Sequence, residues 1–174
     1  MDWKRELVIA HLVKQKIAEV DVDGLWENTL PEVAATEDQL QALERRMGYG
    51  LDPQHRAFLM HANGWRAFEQ HNDLFGVDDF MGGPRAARAA DLVESLEPLE
   101  PLCGLGTRDV LPIAVSANDI DVMLMARPHT ESRGQVFWFA GGLIETFPSF
   151  NEWFLAMVDY LRLDCQRLVE KHSH

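Results

Sequence analysis

The sequence predicts an α+β protein. It reads as a single domain in which a largely antiparallel or mixed β-sheet packs against N-terminal helices and a long C-terminal helix. Three observations predict this. Residues 150–168 carry apolar side chains at three- and four-residue steps, the period of a helix laid on a sheet. Residues 111–147 break instead into short strand-like runs separated by polar or glycine turns. A length of 174 residues with 47% apolar residues suits one domain with a core of its own.

The elements follow in order. Residues 3–20 have helical periodicity, with Ile9, Leu12, Val13, Ile17 and Val20 on one stripe and Lys14, Gln15 and Glu19 largely opposite. Thr36 and Gln39 form a capping box for a second helix, which turns Leu40, Leu43 and Met47 inward and stops at Gly48. Asp52-Pro53 starts a third helix as cap and first helical residue, and Asn63-Gly64 ends it. Trp65 to Glu69 and Asp73 to Val77 read as a hairpin across Gln70-His71-Asn72. A helix from about Arg85 to Leu96 follows Gly82-Gly83-Pro84, and PLEPLCGLGTRD reads as a loop.

Leu111 to Val115 is a strand whose Pro112 suits a strand start or an edge. Ile120 to Ala126 alternates, with Val122, Leu124 and Ala126 on one face. Gln135 to Ala140 and Leu143 to Phe147 make a hairpin through the Gly141-Gly142 turn. Ser149 and Glu152 cap the final helix.

Charge narrows the function. Sixteen basic against 28 acidic residues give a formal −12. Such a surface repels phosphate backbones and anionic lipid, which argues against nucleic acid and membrane as partners. It suits solubility, and also a basic protein steered in by charge. Residues 69–100 hold eight acidic residues against two arginines. Glu69, Asp73, Asp78 and Asp79 in that stretch, with Asp119 and Asp121 further on, are the candidate partner-binding residues. An ordinary solvated face is the competing reading. The chain has no apolar run of bilayer length and a charged N-terminus, so a cytoplasmic location is the expectation. Two cysteines make no disulfide framework and read as small buried hydrophobes.

Four stretches, taken together, resemble the SUKH superfamily of yeast cell-wall assembly regulators and bacterial proteins: HRAFLMHANG, then DLFG, the strand LPIAV, and the Gly134 strand leading through Glu145 into Phe147 to Phe154. The resemblance covers residues 36–160 as the core of one domain spanning 1–174, with 1–35 as an N-terminal helical extension. SANDIDVMLMA departs from the pattern in lacking a glycine. The resemblance implies a non-catalytic module, most often an immunity protein that binds and neutralises a cognate toxin, many such toxins being nucleases. The alternative it leaves open is a regulatory or scaffold protein with a host or phage partner. Oligomeric state stays open, because a sheet edge can pair with itself.

No catalytic, metal or cofactor constellation is expected. His55 and His61 lack the one-turn spacing of a helical zinc pair, and His172 and His174 read as a terminal tail. Asp119 and Asp121 would share a strand face, but an Asn-Asp turn explains them as well. Gly104 and Gly106 lack the third glycine of a dinucleotide fingerprint. Trp65, Phe75 and Trp138 read as core before they read as a ligand groove.

Overall fold

The computed structural model describes residues 1–172. Its centre is a six-stranded sheet in which every neighbouring pair is antiparallel and the strands follow chain order. The strands are β1 (Trp65–Glu69), β2 (Asn72–Leu74), β3 (Val110–Ser116), β4 (Asp121–Ala126), β5 (Val136–Ala140) and β6 (Leu143–Phe147). Three helices precede them: α1 (Trp3–Val20), α2 (Glu37–Met47) and α3 (Pro53–Leu59). Between β2 and β3 the chain makes α4 (Val77–Phe80), α5 (Pro84–Ser95) and α6 (Glu100–Cys103), and α7 (Phe150–His172) closes the fold. This is the α+β arrangement expected from the sequence. No helix among the described residues is long and apolar enough to cross a membrane.

β4 explains why the sheet sits in the middle. Met123 and Met125 point into a core formed with α1, α2, α3 and α7, around Phe58, Trp65, Phe150 and Phe154. Val122, Leu124 and Ala126 point into a second core with Phe75, Ala89, Val93 and Leu99 of the β2–β3 excursion. Alternation in this strand therefore serves two apolar layers, where a half-solvated sheet would show one.

Several local signals act as their chemistry requires. Thr36 and Gln39 close the capping box, and Gly48 takes the left-handed conformation at φ 77°. Asp52 accepts from the Gln54 and His55 amides. Ser149 accepts from Glu152 N at 3.3 Å. Pro112 lies inside β3, beyond the stretch that β2 covers and at a register shift against β4, so its missing donor breaks no regular ladder.

Other expectations need correction. The buried stripe of α1 is Trp3, Leu7, Ala10, Lys14 and Ile17. Leu12 is 56% exposed, and Lys14 is inside. The second strand of the first hairpin is only three residues long, because Val77 opens α4. The PLEPLCGLGTRD segment contains α6 and a 3-10 turn at Thr107–Asp109. Cys103 and Cys165 are free and half-buried. Trp65 and Phe75 are core, whereas Trp138 is half-buried. His172 belongs to α7, and His174 lies outside the described residues.

Candidate functional site

The first hairpin carries an irregularity that organises the acidic residues around it. Ala67 in β1 has φ 46°, uncommon for a residue with a side chain, and the register of β1 against β2 shifts there. Its backbone groups find side-chain partners. Ala67 N donates to Asp73 Oδ1 at 2.7 Å, and Ala67 O accepts from Lys14 Nζ. Lys14 Nζ also donates to the carbonyls of Glu27 at 3.1 Å and Phe68 at 3.4 Å. Burial lowers the Lys14 ammonium to about 8, against the opposing pull of Glu69 and Glu27.

Arg85 of α5 gathers the next two carboxylates. Its Nε donates to Asp73 Oδ2 at 2.9 Å, and its Nη1 to Asp79 Oδ2 at 3.3 Å. Asp79 Oδ2 also accepts from Gly76 N at 2.9 Å, which caps α4. Asp73 and Asp79 are therefore buried structural acids. Glu69 is buried as well and accepts from Asn72 Nδ2 at 2.8 Å. Burial pushes its carboxyl up to about 7, with Asp164 and Asp121 adding to the rise and Asn72 and Lys14 opposing it. Asp121 is half-buried and accepts from Trp138 Nε1 at 2.6 Å.

Asp78 and Asp119 are the two predicted residues whose side chains face solvent. Asp119 lies in the turn before β4, where its carbonyl accepts from Arg88 Nη2 of α5 at 2.6 Å. The six predicted residues thus divide: two exposed, one half-buried, and three inside the hairpin and α4. Burial takes Glu69 and Asp73 off the contact surface, and Asp79 reaches the surface only as a buried acid already held by Gly76 N and Arg85, although their charges still shape the field. α5 ties the set together, through Arg85 to Asp73 and Asp79 and through Arg88 to the Asp119 turn. Asp91 and Glu94 are exposed on the same helix.

Of these exposed acids Asp78 borders a polar cleft of about 550 Å³, lined in part by Glu32, Val33, Gln39, Asp78, Asp79 and Arg85. The segment before α2 forms one wall. It is pinned by Glu32 N to Gly64 O at 3.0 Å and Ala35 N to Leu59 O at 2.9 Å. Val33 on that wall is 89% exposed. Sequence reading missed Glu32 and Val33 because the segment looked like a plain connection. An acidic residue beside a branched apolar one, within LPEVA, was the available signal. Among the described residues no group of three His, Cys, Asp or Glu side chains is arranged to hold a metal. The cleft offers carboxylates, two side-chain amides and one arginine already paired, which suits a cationic side chain.

The model of the SMI1/KNR4 family (SUKH-1) matches residues 34–156. The chain belongs to the SMI1/KNR4 family. No curated protein matches it. The SMI1/KNR4 match takes in the whole sheet, α2 to α6 and the start of α7. It leaves out α1, which packs along α7 and reaches β1 through Lys14. Membership supports, in general terms, a protein-binding module of the kind the SUKH-1 family comprises.

Proposed function

We propose that the chain is a cytoplasmic, non-catalytic immunity protein that docks on a basic cognate protein toxin and blocks its working surface. The observation that supports this best is the acidic cleft beside α4. There Glu32 and Asp78 stand at an open concavity, while the interior pair Asp73 and Asp79 is already matched by Arg85. A partner surface that engages phosphates is basic, and an acidic face can occupy it. In this reading Asp78, Glu32 and Asp119 steer the encounter. Val33 supplies an apolar anchor at the cleft wall. Glu69, Asp73, Asp79 and Asp121 hold the scaffold and add to the field without touching the partner.

Co-expression provides the test. The chain is produced together with the C-terminal domain of each candidate toxin gene found in its genomic neighbourhood. Restored growth, with a stable complex of the two, is the expected result. Continued growth arrest with both proteins present in soluble form would reject the toxin reading.

A further inference from the structure

Away from the acidic cleft, a second cavity of about 250 Å³ opens where the turn between α2 and α3 meets the end of β4 and the loop before β5. Leu51, Leu111 and Met125 give it an apolar floor. Tyr49 stands on one wall, half-buried, with the Arg127 guanidinium 5.5 Å from its ring centroid. Arg127 Nε donates to Val110 O at 2.8 Å, which fixes the group and leaves both Nη atoms without a hydrogen bond among the described residues. Arg133 also lines the cavity, exposed, and its side chain has no ion pair among the described residues.

The lining also carries one acid, Asp52. Asp52 spends Oδ1 on the Gln54 and His55 amides, at 2.9 and 3.1 Å. Its Oδ2 lies against Gly134, where a Cβ would come within 2.9 Å of it. Gly134 also holds φ 80°, so two constraints keep a side chain out of this spot. In a chain of formal charge −12, this cavity gathers two guanidiniums that have no ion pair among the described residues and one carboxylate oxygen around an apolar floor.

A ligand that answers every one of these groups carries a carboxylate, an ammonium and an apolar body. We propose that this cavity is a binding site for a free apolar α-amino acid. The ligand carboxylate meets Arg127 and Arg133, its ammonium meets Asp52 Oδ2, and its side chain rests on Leu51, Leu111 and Met125. The volume agrees, since drug-sized ligands fill cavities of roughly 300–1,000 Å³ and an amino acid is smaller. This site goes beyond the docking function and does not depend on it.

The test is a titration of the full, isotope-labelled chain followed by NMR, with L-phenylalanine as the probe. Two analogues run beside it: 3-phenylpropanoate, which lacks the ammonium, and L-phenylalaninamide, which lacks the carboxylate. Saturable shifts at Tyr49, Met125 and Gly134 are expected with L-phenylalanine. Each analogue should bind about tenfold more weakly, the cost of one lost charged hydrogen-bond partner. Arg133→Gln is exposed and should fold normally, and it should weaken L-phenylalanine by a similar factor. No saturable shift at those residues up to about 10 mM would overturn the proposal. So would an analogue binding as tightly as L-phenylalanine, or an unchanged affinity in folded Arg133→Gln.

Discussion

Lys14 and Ala67 lie 53 residues apart in sequence, and the ammonium of the first donates to the carbonyl of the second inside the protein. The contact fastens α1 to the irregular strand β1. It also places a cation near Glu69, at the end of that strand. Glu69 is raised in the folded state from 4.5 to about 7, so the folded protein holds an extra proton between those values. Stability from this group is complete below pH 4.5 and is lost as pH rises through about 7. Lys14 is lowered from 10.5 to about 8, so the unfolded chain holds the extra proton in that window. Its contribution is complete above 10.5 and is lost as pH falls through 8. Together they predict a shallow stability minimum between about pH 7 and 8. Glu69→Gln should flatten the acid-side slope and gain on the order of 1–3 kcal/mol near neutrality. Urea denaturation of both proteins across this range measures it, and parallel curves would contradict the account.

His55 offers the second prediction. It is fully buried between Phe80 and Phe150, at ring separations of 5.5 and 4.8 Å, and neither ring nitrogen has a partner. Burial lowers it from 6.5 to about 3. Its share of stability is whole above pH 6.5 and drains away as pH falls toward 3. Replacing it by an apolar ring removes unsatisfied polar atoms at little steric cost. His55→Phe should hold or raise stability at neutral pH, within ~1 kcal/mol. Its acid unfolding midpoint should move to lower pH. Circular dichroism during acid titration reads the shift.

Gly76 makes the third. A Cβ there would sit 2.2 Å from Asn63 O, and one on Gly64 would sit 2.7 Å from Gly76 N. The Asn-Gly and Leu-Phe-Gly segments are thus pressed backbone to backbone at the mouth of the acidic cleft. Gly76→Ala should cost about 3 kcal/mol by forcing the two apart. A thermal melt within a degree of the parent protein would contradict the close approach.

Much of this architecture was legible because it rests on local chemistry. The caps at Thr36, Asp52 and Ser149, the Gly141-Gly142 turn and the α7 stripe depend on neighbours a few residues away. What was hidden depends on distant partners. Lys14 reads as a solvated charge until the carbonyls of Ala67 and Phe68 arrive. The α1 stripe therefore rotates from the face that Leu12 suggested to the one that holds Lys14. Asp73 and Asp79 read as part of an acidic surface for the same reason, since nothing local announces Arg85 as their common partner. α4 and α6 are single turns, too short to leave a periodic signal.

Arg85 carries the fourth prediction. It is the shared partner of two buried carboxylates and is itself 31% exposed. Removing one member of a buried pair costs several kcal/mol, and partial exposure reduces that. Arg85→Met should destabilise by about 2–3 kcal/mol, whereas Asp78→Asn, at an exposed site, should stay within ~0.5 kcal/mol. Equal effects from the two substitutions, measured by denaturant unfolding, would contradict the division between structural and exposed acids.

The central claim is that this fold works by electrostatic docking of a basic protein at the cleft beside α4. Stopped-flow association with the toxin domain that the co-expression test identifies measures it directly. The comparison is between the parent chain and the double charge reversal Glu32→Lys, Asp78→Lys, at low and high salt. The account predicts an on-rate about tenfold or more below the parent at low salt, with the gap closing as salt screens the charges. An on-rate equal to the parent's at every salt concentration would contradict it.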